Sequence, residues 1–322
     1  MRICWKPQKS FVLGVLPLSE VNEECAKSNR ISQYESVHQS GIAMHDPLVS
    51  IITPVLNGAG YIELCIQSVL CQSYPHIEHI IVDGGSSDGT VAIIASYASR
   101  YPGRIRFVSE PDNGVGDAWN KGLGIARGEI LGWLGCDDTL YESDAIQSVV
   151  EFFRTTPDAY FVHGSVNYVD EHGAILSTHY TKEFTLDQLI NDQSFIACTS
   201  AFYRRAVIEK VGELDEYGSD FDFMIRVAKA FRIYRVDKVL SCFRTHRGSQ
   251  TTGSNMRLRR MWYRQYCIIS RRHGGRFFSA HRKRYYRFIV YNHPIVQRLR
   301  PILRPIYRLI NIVWKIDDIV WR

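Results

Sequence analysis

An α/β fold around a mostly parallel sheet is what this sequence predicts, and three observations carry the prediction. β-Branched strands alternate with amphipathic helices from Leu48 to Thr155, the links between them are short, and the polar clusters of this half all follow strands. Such alternation implies right-handed β-α-β crossovers. In sheets of that kind ligands bind beyond the carboxyl ends of the strands.

The elements follow in order. "LVSIITPVL" (48–56) is a β-branched strand. In "AGYIELCIQSVLCQSYP", Ile62, Cys65, Ile66, Val69 and Leu70 recur at i, i+3, i+4, i+7 and i+8, one apolar helix face that Pro75 stops. "IEHIIVDGG" is a second strand, Thr90–Arg100 a second helix, "IRFVSEP" a third strand and Gly116–Ala126 a third helix. "EILGWLGC" is the fourth strand, and helix Ser143–Thr155 follows it. After Pro157 the rhythm changes. "AYFVHGSVNYVDEHGAIL" reads as strands meeting at the turn-prone "DEHG", then come helix-like "RRAVIEKVG" and "SDFDFMIRVAKAF" and the strand "YRVDKVLSCFRTH". The second half is therefore mixed rather than wound.

Bulk properties bound the function. With 322 residues, 45% apolar and 22% charged, the chain is ordinary globular material for one large domain with appendages. Its eight cysteines form no C-x-x-C pair, and no histidines sit at zinc-finger spacing. That argues against a disulfide framework or structural zinc and for a reducing, cytoplasmic compartment. No apolar run approaches the roughly 20 residues of a membrane span. "FVLGVLPL" only faintly resembles a signal segment, because Gly14 and Pro17 interrupt it, so residues 1–47 read as a poorly ordered leader. The net charge of +6 is unevenly spread. From Asn255 to Arg322 there are 17 Lys/Arg against Asp317 and Asp318, a net of +15, which leaves −9 for the rest. An acidic body thus carries a basic, aromatic tail.

Three constellations carry chemistry. "DGGSSDGT" (83–90) joins a strand to a helix. A turn with an N-cap explains Gly84, Gly85 and Asp88, but not Asp83 at the strand's end, where a carboxylate could accept from a nucleobase or ribose. Neither phosphate-loop pattern, G-x-x-x-x-G-K-[ST] or G-x-G-x-x-G, is present. Asp137 and Asp138 end the apolar run of strand four, where two adjacent carboxylates repel and resist desolvation. They could cap the next helix, or hold a divalent cation; oxygen ligands favour Mg²⁺ or Mn²⁺ over zinc. "SDFDFMIRV" (219–227) opens a helix with Asp220 and Asp222. They could cap it and complement its dipole, or one could serve as a general base. His246 of "FRTH" could equally be structural.

Taken together and in order, "VSIITPVLN", "IEHIIVDGGSSDGT", "SEPDNGVGDAWNKGLGIARGEILGWLGCDDTL", "FYRRAVIEKVGELDE", "SDFDFMIRV" and "CFRTHRGSQT" closely resemble the family 2 glycosyltransferases of the GT-A fold. The resemblance spans about Leu48 to Thr252. It implies a Rossmann-like nucleotide-binding half and a mixed acceptor half; residues 253–322, outside its reach, read from their own pattern as a helical basic extension. By position, it implies that Thr53, Pro54 and Asn57 line the nucleotide pocket and that Asp83, with Asp88 nearby, receives the base. Asp117 and Asn120 would face the nucleotide-sugar. "CDD" falls in the DxD-like slot, so Asp137 would meet the ribose–diphosphate region and Asp138 would hold the metal, with His246 approaching it. Asp220 would be the catalytic base. Three departures stand out. Gly135-Cys136 replaces the more frequent Asn-Ser, Ser219 replaces the usual Glu, and the Q-x-x-R-W signature of processive members is absent.

The implied reaction is inverting transfer from a nucleoside diphosphate sugar to a glycan or lipid-linked acceptor. The tail interleaves Arg with Trp, Tyr, Ile and Leu, which suits the headgroup region of an anionic membrane better than nucleic acid. A helical cap packed on the catalytic domain is the plain alternative. Two other functions stay in play: a nucleotidyltransferase, which would release pyrophosphate, and a catalytically silent nucleotide- or glycan-binding protein.

Overall fold

A computed structural model describes residues 46–192, 196–215, 219–249, 256–277, 279–292 and 298. The expected leader lies outside them except for Asp46 and Pro47, as does the basic extension beyond Asn292 except for Arg298. The chain forms two compact units: Met1–Leu189 with Ser194–Gly253, and Ile190–Gln193 with Ser254–Arg322.

The first half of unit one is wound as the alternation predicts. Strands β1 (Val49–Val55), β2 (Ile77–Asp83), β3 (Ile105–Ser109) and β4 (Ile130–Trp133) pair in parallel in the order β3-β2-β1-β4. Helices α1 (Ile62–Leu70), α2 (Thr90–Arg100), α3 (Val115–Ile125) and α4 (Ala145–Thr155) connect or follow them. Every residue of β1 and β2 is buried, which is why both read as continuous apolar runs rather than as alternation. The five apolar positions of α1 are buried as their spacing requires. Each such Ile or Val side chain contributes about 1.5–3 kcal/mol of burial. Helix α3 lies so close to the sheet that a Cβ on Gly122 would meet Ile52 Cγ2 at 2.4 Å. A larger residue there would push the helix off β1.

The second half adds β5 (Thr139–Leu140), β6 (Phe161–Val169), β7 (Ile175–His179), β8 (Ala201–Arg204) and β9 (Ile233–Arg244) to the same sheet, continuing it as β4-β8-β6-β9-β5. β8 runs antiparallel to β4 and β6, β9 parallel to β6, and β5 antiparallel to β9. β7 forms the expected hairpin with β6. Three helices belong here: α5 (Leu186–Asn191), α6 (Ala206–Val211) and α7 (Asp220–Ala230). The structure shortens one predicted element. Strand four ends at Trp133, so Asp137 and Asp138 sit in the β4–β5 connection and not at a strand tip.

In unit two, α8 (Met256–Arg272) packs on α9 (Ala280–Tyr291). The Tyr263 and Phe288 rings meet at 5.3 Å and those of Tyr266 and His281 at 5.9 Å. No helix among the described residues is long and apolar enough to cross a membrane. Among the described residues Cys65, Cys136, Cys198, Cys242 and Cys267 are free thiols.

Candidate active site

The loop after β2 is organised largely by its own chain. Asp83 Oδ2 accepts from the Gly85 and Ser86 amides, both at 3.0 Å, and from Ser109 Oγ on β3 at 2.7 Å. Burial pushes this carboxyl up, but the Ser86, Ser109 and backbone donors outweigh burial and leave it below the ordinary carboxylate range. Its Oδ1 is buried without a protein donor, an acceptor left over from the turn. Asp88 accepts from the Thr90 amide and hydroxyl and, through Oδ2, from the Ala59 amide, so it braces both the start of α2 and the loop after β1. Asn57, in the left-handed region at φ 52°, completes the brace: its amide donates to Ser86 Oγ and its Oδ1 accepts from the Ser87 amide. Pro54 is buried within β1. Thr53 is fully buried, with its hydroxyl 2.9 Å from Nε2 of His79, a ring whose pKa burial drives down to about 3.

Two further expected residues lie on α3. Asp117 accepts from the Asn113 amide at 2.9 Å, and this bond, with help from Lys121, keeps its carboxyl low. Asn120 is engaged at both ends of its amide with the backbone of Leu214, at 3.0 and 3.2 Å. What the structure gives Asn120 is a clamp on the loop ahead of α7.

Asp137, Asp138 and His246 come together although they are far apart in sequence. Nε2 of His246 lies 3.0 Å from Asp137 Oδ2. Asp138, 3% exposed, accepts the Arg244 amide through Oδ1 at 2.9 Å. Burial first, and the neighbouring Asp137 second, push the Asp138 carboxyl well up against the opposing pull of Arg244. Arg244 is the residue that sequence reading missed. It is buried, and its guanidinium donates to the carbonyls of Asp137, Asp170 and Glu171. It also stands 5.7 Å over the Tyr61 ring, which in turn packs on His246 at 4.5 Å. Its only signal was its place two residues before His246.

Gly135 shows what this arrangement is shaped around. A Cβ there would lie 2.7 Å from Asp138 Oδ2 and 3.0 Å from Asp137 Oδ1, so both carboxylates converge over bare backbone. Among the described residues no group of three His, Cys, Asp or Glu side chains is gathered to hold an ion alone. Two convergent carboxylates with a nearby imidazole fit the other mode, in which one or two carboxylates share Mg²⁺ or Mn²⁺ with a phosphate ligand.

Asp220 and Asp222, ambiguous in the sequence, separate in the structure. Asp222 is 3% exposed and paired with Arg226 Nε at 2.8 Å, and Arg226 goes on to bind the Val211, Gly212 and Glu213 carbonyls. Asp220 Oδ2 accepts from the Cys198 thiol at 2.9 Å. Burial raises the Asp220 carboxyl, against that thiol and the Phe221 amide. The Cys198 thiol is itself pushed well up, by burial, then by Asp220 and also by Asp138, so it is a neutral donor to Asp220. Nothing in the sequence marked Cys198.

Comparison with known proteins matches this arrangement to a family. The profile of glycosyl transferase family 2 covers residues 50–212. A PGL/p-HBAD biosynthesis glycosyltransferase of Mycobacterium tuberculosis is 34% identical over 188 residues, 57% of this chain and 70% of that one. Chondroitin synthase of Escherichia coli is 28% identical over 195 residues, 60% of this chain but only 28% of the synthase. The fold is similar to that of S. aureus TarS 1-349 in complex with UDP-GlcNAc, with TM-score 0.52, 19% identity, and 69% of this chain and 66% of that one covered. It is also similar to the mannosyltransferase PcManGT from Pyrobaculum calidifontis in complex with GDP-Man and Mn²⁺, with TM-score 0.53, 18% identity, and 85% and 77% covered. The chain has the GT-A fold and belongs to glycosyl transferase family 2.

Proposed function

We propose that this glycosyltransferase moves a sugar, with inversion, from a nucleoside diphosphate sugar to a hydroxyl of a glycan or lipid-linked acceptor in cell-surface polysaccharide or glycolipid assembly. The observation that carries the reading is the division of labour between acids: two carboxylates converge over Gly135, and a separate carboxyl, Asp220, has its pKa raised by burial. Asp138, Asp137 and His246 would hold Mg²⁺ or Mn²⁺, which when bound offsets the charge of the departing diphosphate. The loop braced by Asp83, Asp88 and Asn57 would take the base and ribose, with Thr53 and Pro54 shaping the floor and Asp117 and Asn120 the flank. Asp220 accepts the proton of the attacking hydroxyl, and a carboxyl raised toward neutrality suits that role. The molecules bound in the two similar folds agree in kind: UDP-GlcNAc in TarS, GDP-Man with Mn²⁺ in the mannosyltransferase.

The reading places the enzyme in the cytoplasm, peripheral at the inner face of an anionic membrane where lipid-linked acceptors are presented. The deciding experiment is a screen of nucleoside diphosphate sugars with Mn²⁺, following thermal stabilisation and the nucleotide released. Release of nucleoside diphosphate is expected. Pyrophosphate release would make the chain a nucleotidyltransferase, and binding without turnover by any donor and acceptor pair would make it a silent binding protein.

A further inference from the structure

The exposed residues of α8 lie within an arc of about 160°, with Met256, Arg257 and Arg272 near the ends of the helix and five others between them. Arg260, Met261, Arg264, Ile268 and Arg271 are all exposed, Met261 and Ile268 at 44% and 48%. At 3.6 residues per turn they fall within one arc of about 100° and run about 16 Å along the axis. Cys267 bounds the stripe on one flank, and the other side of the helix is occupied: Ile269 and Ser270 are buried, and Tyr263 and Tyr266 pack on Phe288 and His281 of α9. No acidic residue interrupts α8.

We propose that this stripe is a docking surface for an anionic lipid bilayer, with α8 flat at headgroup depth. Arg260, Arg264 and Arg271 meet lipid phosphates, while Met261 and Ile268 insert between them. A straight stripe of this length matches a plane. A nucleic acid would use the arginines but gain nothing from two apolar side chains set among them, whereas the interfacial region of a bilayer accepts both. Tyr263 and Tyr266 are spent inside the helix pair, so on α8 Met261 and Ile268 take the role of apolar anchor. This deepens the peripheral-membrane part of the functional reading and stands apart from the transfer reaction.

The test is co-sedimentation of the full chain with phosphatidylcholine vesicles, with and without phosphatidylglycerol, at low and high salt. Binding should require phosphatidylglycerol and should fall, without vanishing, in high salt. Arg260→Glu with Arg264→Glu should weaken it by at least about tenfold, since each basic residue near an anionic surface is worth roughly a factor of five. Arg260→Lys with Arg264→Lys should restore it. Met261→Gln with Ile268→Gln should abolish the part that survives high salt. Equal binding to both vesicle types, or none, overturns the proposal, as does undiminished binding by the Glu pair. So does a DNA duplex that strips the protein from anionic vesicles at the same salt. Nucleotide release from the donor, assayed in parallel without vesicles, should be unchanged in all variants, so a failure here leaves the catalytic reading standing.

Discussion

In the loop after β2, Asp83 takes donors two and three residues further on and a hydroxyl from the adjacent strand. In the loop after β4, Asp138 and Asp137 are held by Arg244 and His246, 106 and 109 positions away. The first loop is shaped by its own chain. The second exists only once β9 has paired with β6 and with β5, which sets Arg244 and His246 beside the β4–β5 connection. On the proposed function the work divides along the same line: the local loop would offer a fixed recognition surface, and the remote one would gather charge for a cation to offset. Damage to β9 should therefore dismantle the acid pair and spare the first loop.

The largest expected effect lies among the remotely assembled acids. Asp220→Asn should cut transfer by about 10²-fold or more with donor affinity within a few-fold. Asp222→Asn should instead cost about 2 kcal/mol of stability by orphaning Arg226, and leave transfer nearly intact in the folded fraction. Steady-state kinetics beside thermal melts separate the two, and reversed outcomes would exchange their roles. In wild type, activity should rise with pH through an acid limb above the ordinary aspartate range, because a base must be ionised and burial raises Asp220. Cys198→Ala should move that limb higher still, since the thiol pulls the carboxyl down, and Cys198→Ser should move it less.

Next in size is Arg244→Met, which removes three charge-assisted hydrogen bonds to partly buried carbonyls and should cost about 3 kcal/mol. Hydrogen exchange sharpens the comparison here. Amides around Gly135–Asp138 should lose protection while Gly85, Ser86 and Thr90 keep theirs. Equal loss in both loops would show that they are one cooperative piece. Smallest is Asn120→Ala, expected to cost about 1–2 kcal/mol through the lost Leu214 clamp. Donor affinity should fall as well, since Asn120 is proposed to flank the nucleotide-sugar; unchanged affinity would confine Asn120 to the clamp.

How much could be read in the sequence follows the same local–remote division. The parallel half was legible because β1, β2 and α1 carry their burial as runs and periodicity. The β6–β7 hairpin was legible from "DEHG". β5 and β8 were not: two and four residues hold too little period, and each is fixed by pairing with strands distant in sequence. Among site residues, Asp83, Asp88 and the acid pair could be picked out by motif. Arg244 and Cys198 could not, because their importance lies in what the fold brings to them.

Asp137 and Asp138 are proposed to form a site completed by a divalent ion and a nucleoside diphosphate. Calorimetry of the full chain with UDP and with GDP, each with Mn²⁺ and then with EDTA, tests it most directly, repeated on Asp138→Ala. The account predicts nucleotide binding that needs Mn²⁺ in the wild type and is lost in Asp138→Ala, while both proteins keep the same circular dichroism. Nucleotide binding that survives both EDTA and the substitution would contradict it.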